Sequence, residues 1–400
     1  MPPQKFYNMP YFIPLGIPDF KGKKDRDFIQ VSYLIEGNDA VELTIQIRDG
    51  GKIIYQEKIT DSSKLTKGEH RWKWNGFDSN GIYDSAVFTT AKDLNIYTIA
   101  IDNEENYSRK RVEFTAKYSE VKWVDVKINK NTKRIDVTLR VNLKDGGEIG
   151  TEKDCIQVGS GQYSSIKTVC PWEKIPKEDL IAGKPPIKSR TKSFKDLKQL
   201  ALEGLSYHWG RNKNHFIAKN VDINGELYEV FVNAINTTKK AMDDVDLIFN
   251  TNNKWMRSGN PGTVEDPISF VGNIVSREAI CYNVGYIYEY FYKDSWDYQI
   301  ENSENLEFKF TSSHEIGHTI LKAYGGTFYS YGHKESVNTI TQNQKSSAPK
   351  FPLEGEIDIM PYLKDNKYGG KLRQPNIYKR FVASQKDVLS LLWLTKLELR

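Results

Sequence analysis

The chain has 400 residues, of which 38% are hydrophobic and 27% are charged, and its formal net charge at pH 7 is +5. This length allows two or three domains with real cores, and the composition is typical of a folded globular protein rather than a disordered one. No run of residues approaches the roughly 18 apolar positions of a membrane span, and the first residues lack the apolar core of a cleavable signal peptide. The lysines are scattered, which argues against a nucleic-acid partner.

The N-terminal part of the chain shows a β pattern. Residues 1–26 are rich in proline and aromatic residues, which suits an extended segment lying on a partner or on the next domain. Residues 27–118 contain short alternating runs, such as 28–34 and 41–47, and Asp49-Gly50-Gly51 is typical of a hairpin turn. No helical period occurs here, so the pattern predicts a small all-β sandwich over residues 27–118.

One stretch of this region has a familiar order of residues. Trp72 and Trp74 alternate with charged residues, as on a half-buried strand, and a W-x-G-x-D-x-x-G turn ending at Gly81 precedes a second strand at 97–100. Over about fifty residues this resembles the Ig-like module of flagellar hook-capping proteins and of many bacterial surface proteins. The resemblance implies a fold and not an activity, and His70 within it is interpreted as a surface residue.

Residues 119–400 combine α and β patterns. A polar interval rich in lysine and proline at about 174–192 predicts a long surface loop. The expected fold class is therefore multidomain, with an all-β Ig-like N-terminal sandwich followed by an α+β domain over 119–400. The other elements predicted here are an amphipathic helix at 193–205 capped by Ser193, strands at 227–234 and 245–249, and an apolar closing helix at 384–399.

Three cysteines lack the spacing of a metal-binding cluster. Cys155 and Cys170 could close a short loop by a disulfide in an oxidising compartment, or they could stay reduced and partly buried. The sequence leaves both alternatives open.

The strongest chemical signal is the H-E-x-x-H motif at residues 314–318. Positions four apart on a helix share one face, so the imidazoles of His314 and His318 can bind the same Zn²⁺ ion. Zinc lowers the pKa of a bound water and polarises a scissile carbonyl, and Glu315 is placed to take the proton and pass it to the leaving amine. The motif predicts a zinc-dependent hydrolase.

A catalytic zinc ion takes three protein ligands and a water, so a third ligand is needed. The position of the third histidine of metzincins is occupied by Tyr324, which excludes a strict metzincin. Two candidates remain, His333 and Glu356, and Met360 is interpreted as a hydrophobic floor beneath the metal. No role is predicted for the two remaining histidines, His208 and His215, which lie near Trp209 in what is read as a polar loop.

Over about sixty residues, several motifs that follow one another in the chain resemble those of a known family. His314 to Leu321, Tyr324 to Thr327, Ser330 to Lys334 and Gly355 to Met360 resemble the zincin-type metallopeptidase toxin domain found in type VI secretion spike and effector proteins. The resemblance implies a zincin-like domain over 119–400 with His314, His318 and Glu356 as zinc ligands. His333 would then be available to bind the developing oxyanion as a catalytic residue, with Tyr362 a weaker candidate.

The expected function is a zinc-dependent endopeptidase that acts as an antibacterial toxin. It would be made in the cytoplasm, secreted without a cleavable signal peptide by a type VI-like system, and delivered to the target-cell periplasm. The expected partners are a protein or peptide substrate, a spike or adaptor of the secretion machinery, and a cognate immunity protein. Two alternatives stay open: a non-catalytic structural or adaptor protein of a secretion apparatus, and a secreted protease that acts on host proteins.

Overall fold

The computed structural model of the chain describes most of the residues from Tyr11 to Arg400. The described residues are 11–151, 154, 156–158, 167–169, 175, 177–253, 258, 279–288, 296–299, 301–331, 345–361, 363 and 377–400. Of the predicted residues, Cys155, Cys170, His333 and Tyr362 lie outside this set.

Strands outnumber helices in the described residues. In chain order the strands are β1 (Tyr11–Phe12), β2 (Ile29–Ile35), β3 (Ala40–Asp49), β4 (Lys52–Ile59), β5 (Gly68–Trp74), β6 (Ile82–Asp84), β7 (Leu94–Asp102), β8 (Tyr107–Glu113), β9 (Ala116–Tyr118), β10 (Val124–Asn129), β11 (Arg134–Ile149), β12 (Ile156–Val158), β13 (Lys167–Val169), β14 (Val221–Ile223), β15 (Glu226–Asn236), β16 (Asp244–Asn253), β17 (Ala279–Tyr288), β18 (Trp296–Gln299), β19 (Ile357–Asp358), β20 (Phe381–Val382) and β21 (Leu397–Leu399). The α-helices are α1 (Ser85–Thr90), α2 (Phe194–His208), α3 (Glu301–Gly325), α4 (Thr327–Tyr331) and α5 (Gln385–Trp393).

The described residues divide into two compact units that differ from the predicted boundary at residue 118. Unit 1 comprises the described parts of Met1–Thr138, Asn220–Phe231 and Val388–Arg400, and unit 2 comprises those of Leu139–Lys219 and Val232–Asp387. Segments distant in sequence return to unit 1 through strand pairing, which local patterns do not reveal.

The β-rich part of unit 1 contains two antiparallel sheets. One has the order β4-β3-β7-β8, and the other pairs β2 with β5. Trp72 and Trp74 are buried on β5 while Arg71 and Lys73 are exposed, so the predicted alternation is confirmed. The predicted hairpin is also confirmed, because β3 and β4 pair on either side of Gly50, whose φ of 57° is easily adopted by glycine.

The segment before β2 belongs to the core of unit 1. Phe12 and Ile13 are buried, and β1 pairs with β21 near the end of the chain. Phe12 lies so close to Gly76 that a Cβ at Gly76 would approach the Phe12 ring to 2.6 Å. The described part of the N-terminal segment therefore packs on its own chain.

The end of the chain corrects one prediction. The apolar run 384–399 was expected to form a single helix, but α5 ends at Trp393 and a turn leads into β21. β21 lies between β1 and β9, with Leu397 opposite both Phe12 and Tyr118. Backbone pairing with two strands outweighs the helical preference of the last leucines because each extended residue gains ladder hydrogen bonds.

The sheet of unit 2 supports two helices. β16 runs parallel to β11 and to β17, and β18 is antiparallel to β17. Tyr282 on β17 is buried against Phe308 of α3, with ring centroids 5.5 Å apart, and its hydroxyl donates to Asn305. Cys281 beside it is also buried. The sheet therefore holds the first half of α3 in place.

Helix α2 begins as predicted and then packs against α3. The Ser193 hydroxyl accepts from the Asp196 N–H at 3.2 Å, and the Asp196 carboxylate accepts from the Ser193 N–H at 2.8 Å. This capping box fixes the start of the helix. A Cβ at Gly204 would overlap the backbone at Lys309, so glycine allows α2 and α3 to approach closely. The interval 177–192 contains one short 3-10 turn and no strand or α-helix, as expected of a surface loop.

Candidate metal centre

Helix α3 carries the H-E-x-x-H motif in the predicted conformation. It runs from Glu301 to Gly325 and stops where Gly326 adopts a φ of 82°. The imidazole rings of His314 and His318 lie next to each other, with centroids 4.9 Å apart and planes at 88°. His318 is buried, and His314 and Glu315 are half-buried. The motif therefore brings two imidazoles and a carboxylate to one short stretch of helix.

Both imidazoles are oriented by backbone carbonyls through the same ring nitrogen. His314 Nδ1 lies 2.7 Å from the carbonyl oxygen of Ile359, and His318 Nδ1 lies 3.0 Å from that of Ser330. A carbonyl oxygen only accepts, so each Nδ1 must carry the proton and donate it. In the neutral ring Nε2 then has the lone pair, which is the arrangement of histidines that bind a metal through Nε2.

Further hydrogen bonds reinforce the contact between His318 and Ser330. The Ser330 hydroxyl donates to the carbonyl oxygen of His318 at 2.6 Å, and Ser330 is fully buried. Its neighbour Tyr329 donates to the buried carboxylate of Asp387 at 2.8 Å, and burial together with Asp387 raises the pKa of Tyr329. These bonds fix α4, and with it the acceptor of His318.

Met360, interpreted from the sequence as a hydrophobic floor beneath a metal, packs against α3. Met360 is fully buried, and a Cβ at Gly317 would approach its sulfur to 2.8 Å and Trp209 Cζ2 to 2.9 Å. Trp209 is also fully buried, and its indole N–H donates to the Ser313 carbonyl at 3.1 Å. Glycine at position 317 therefore permits a close approach that a larger residue would prevent.

Glu356 makes a different contact from the predicted one. Both of its carboxylate oxygens accept from Nη2 of Arg211, at 2.6 and 2.8 Å. In the part of the chain that the structure describes, no three His, Cys, Asp or Glu side chains lie close enough together to hold one metal ion. The structure thus brings His314 and His318 together without Glu356, and His333 and Tyr362 lie outside the described residues.

The two imidazoles fit part of a zinc site. Two imidazoles with their Nδ1–H groups engaged supply two of the three ligands that a catalytic zinc ion takes. The third ligand would be His333, or Glu356 after it leaves Arg211.

Sequence reasoning missed the end of α2. His208 is buried rather than part of a polar loop; its Nδ1 donates to the Phe381 carbonyl at 2.7 Å, and burial lowers its pKa to about 4. Arg211 is also buried and donates through Nη1 to the Ala383 carbonyl at 2.9 Å. A histidine and an arginine following an apolar helix face were the available signal, but their partners lie about 170 residues away.

A separate groove lies beside α2. It has a volume of about 440 Å³, and its lining includes Tyr207, Asn212 and His215 but neither His314 nor His318. The His215 ring stacks on Tyr207 at 4.2 Å, and burial with nearby Arg211 and Lys219 lowers its pKa to about 4. The groove is therefore not part of the candidate metal centre.

Comparisons with known proteins add little. No known protein family matches the chain, and no curated protein matches it. Among solved structures, β-glucuronidase from Ruminococcus gnavus in complex with D-glucuronic acid aligns with 72% of this chain and 38% of its own, at 11% identity and a TM-score of 0.14. Its complex with uronic deoxynojirimycin aligns with 76% of this chain and 40% of its own, at 12% identity and a TM-score of 0.14.

The chain spans 38–40% of the length of these β-glucuronidase structures, and TM-scores this low carry no argument about fold or activity. Among the described residues, no helix is long and apolar enough to cross a membrane, in agreement with the composition.

Proposed function

We propose that the chain is a zinc-dependent endopeptidase with His314 and His318 as two of its zinc ligands. The observation that carries the proposal is the matched pair of Nδ1–H donations to the carbonyls of Ile359 and Ser330. Histidines that bind a metal are commonly oriented in this way. Buried His208 makes one such contact by itself, so the proposal depends on two such rings lying next to each other on one helix. The buried Met360 and the glycine at position 317 add a fixed apolar floor.

The residues of the motif have separate roles in peptide hydrolysis. Zinc, when bound, supplies a Lewis acid that eases deprotonation of water and polarises the scissile carbonyl. Glu315 accepts a proton from the attacking water and delivers it to the amine nitrogen as the C–N bond breaks. The two histidines hold the metal, and α4 and the segment at 357–360 hold the histidines. The substrate class is a protein or peptide.

The third ligand remains a choice between two residues. Glu356 binds Arg211 in the structure, and it would have to exchange this partner for the metal. If His333 is the third ligand, Glu356 can keep its contact with Arg211. If Glu356 takes the metal, His333 serves as a catalytic donor to the oxyanion, with Tyr362 as a second candidate.

The biological role we propose follows the resemblance of the motifs to type VI effector toxins. The protease would be exported without a cleavable signal by a type VI-like system, bound by a spike or adaptor, and neutralised in the producing cell by an immunity protein. The alternatives are a structural or adaptor protein of the apparatus and a secreted protease acting on host proteins.

Metal analysis and a matched active-site variant test the chemistry. Wild-type protein should bind about one zinc ion, and Glu315→Gln should keep the zinc while losing at least about a hundredfold in peptidase rate. The control His318→Ala should lose both. A wild-type protein that takes up no zinc on titration contradicts the proposal. Zinc binding without protein cleavage, unchanged in Glu315→Gln, supports the structural alternative.

Forced expression in bacteria tests the biological role. Wild-type protein directed to the periplasm should stop growth, while Glu315→Gln directed there should not. Harmlessness of the wild type in both the periplasm and the cytoplasm, with protease activity intact in the test tube, favours the host-directed alternative.

A further inference from the structure

The side chain of Arg211 connects the end of α2 to the segment that orients His314. It is nearly fully buried, with 3% of the side chain exposed, although arginine rarely is unless it is paired. Nη1 donates to the Ala383 carbonyl, which follows β20, and Nη2 donates to the carboxylate of Glu356, which precedes β19. One guanidinium thus holds the two neighbouring segments together.

The two segments form a very short parallel sheet. Ile357 lies opposite Phe381 and Asp358 opposite Val382, and the Ile359 N–H donates to the Val382 carbonyl at 3.1 Å. Two residue pairs supply few ladder hydrogen bonds, so a sheet of this size depends on contacts from outside. The end of α2 supplies them.

Helix α2 holds the β20 side by its backbone and by His208. The Ala383 N–H donates to the His208 carbonyl at 2.7 Å, and His208 Nδ1 donates to the Phe381 carbonyl at 2.7 Å. The β19 side is reached by Arg211, three residues beyond the end of α2, through its ion pair with Glu356.

The segment after β19 contains the two groups that the metal centre uses. The Ile359 carbonyl accepts from His314 Nδ1 at 2.7 Å, and Met360 is the floor beneath Gly317. The Asp358 carboxylate accepts from the Met360 N–H at 3.1 Å, which makes the turn compact. A displacement of Glu356 would therefore move the Ile359 carbonyl relative to His314.

We propose that Arg211 is a positioning residue of the candidate metal centre, which holds the segment 356–360 where the Ile359 carbonyl orients the imidazole of His314. The proposal rests on the proposed zinc site. Groups that orient the histidines of a metal site commonly change metal affinity by about 10–100-fold when they are removed. Arg211 acts through one further residue, so we expect an effect near the lower end of this range.

The direction in which zinc affinity changes in Arg211→Met distinguishes two interpretations. Without the guanidinium, a positioning role predicts that zinc binds about tenfold more weakly, because His314 loses its fixed orientation. If Glu356 is instead the third ligand, removal of Arg211 releases its carboxylate and zinc binds more tightly. The two interpretations of Glu356 therefore give opposite results in the same measurement.

The experiment measures zinc dissociation constants by competition with a chelator, using the full chain at a temperature where circular dichroism shows each variant folded. Arg190→Met is the matched control, because Arg190 in the same unit also binds both oxygens of a carboxylate, that of Asp145, at 2.9 and 3.1 Å. The control should bind zinc within about twofold of wild type. Arg211→Lys, which keeps the charge but loses the fork of donors, should lie between Arg211→Met and wild type.

Each outcome decides the proposal. Weaker zinc binding in Arg211→Met, partly restored in Arg211→Lys and absent in Arg190→Met, supports it. Wild-type affinity in Arg211→Met overturns it and leaves Arg211 with a role in stability alone, and tighter binding overturns it in favour of Glu356 as ligand. If Arg211→Met does not fold, the direction of the change in zinc affinity in Arg211→Lys decides in the same way. A wild-type protein that binds no zinc refutes the proposed function, and the role of Arg211 with it.

Discussion

The region around β5 in unit 1 and the candidate metal centre of unit 2 are stabilised in different ways. On β5, residues two apart on one strand, Trp72 and Trp74, face the same core and stack on each other with centroids 6.5 Å apart. In the metal centre, the two histidines are oriented by carbonyls 45 and 12 residues further along the chain. The first region follows from a local period, whereas the second depends on distant segments that arrive with the right geometry.

The largest effect is expected from a cavity in the core beside β5. Trp74→Ala should lower the free energy of unfolding by about 3–5 kcal/mol, because Trp74 is buried against Phe88 and donates to the Phe77 carbonyl. Urea unfolding would measure this. The exposed neighbour Arg71→Ala should change stability by no more than about 0.5 kcal/mol. If Trp74→Ala weakened zinc binding of the folded protein, the two regions would not be independent.

A pH-dependent loss of stability is expected from His208 in unit 2. Burial lowers its pKa from 6.5 to about 4, so the folded protein keeps it neutral where the unfolded chain takes up a proton. Above pH 6.5 the contribution is complete. As the pH falls from 6.5 to 4, the unfolded state binds more protons and the free energy of unfolding drops by up to about 3 kcal/mol.

His208→Gln tests this, since glutamine does not ionise but still has a donor for the Phe381 carbonyl. Urea unfolding across this pH range should show a shallower loss of stability for the variant than for wild type. Part of the slope should remain, because the pKa of His215 is also lowered to about 4. Identical slopes for the two proteins would show that His208 is not the titrating group.

A smaller effect is expected from Gly317→Ala in the metal centre. The added Cβ would lie within 3 Å of Met360 and Trp209, and relief of this overlap should cost about 1–3 kcal/mol, offset by about 1 kcal/mol from the better helix propensity of alanine. We expect a small net loss of stability together with weaker zinc binding, because Met360 must move. Calorimetry and chelator competition would measure both, and a stabilised variant with unchanged zinc affinity would refute the close packing of this floor.

Sequence patterns predicted the elements whose signals are local. The β3–β4 hairpin and the start of α2 at Ser193 are confirmed, because turn glycines and a capping serine act over a few residues. The closing helix was predicted too long, because pairing of the last residues with β1 and β9 was not readable from their own composition.

The sequence by itself determined that two imidazoles and a carboxylate share one helical turn, since four-residue spacing on a helix leaves no alternative. Only the tertiary structure decided which carbonyls orient the two rings and that Glu356 binds Arg211. The physical reason is that hydrogen bonds between distant segments depend on where the backbone of each one lies. That placement results from the packing of α2, α3 and the short β19–β20 pair, which no local pattern specifies.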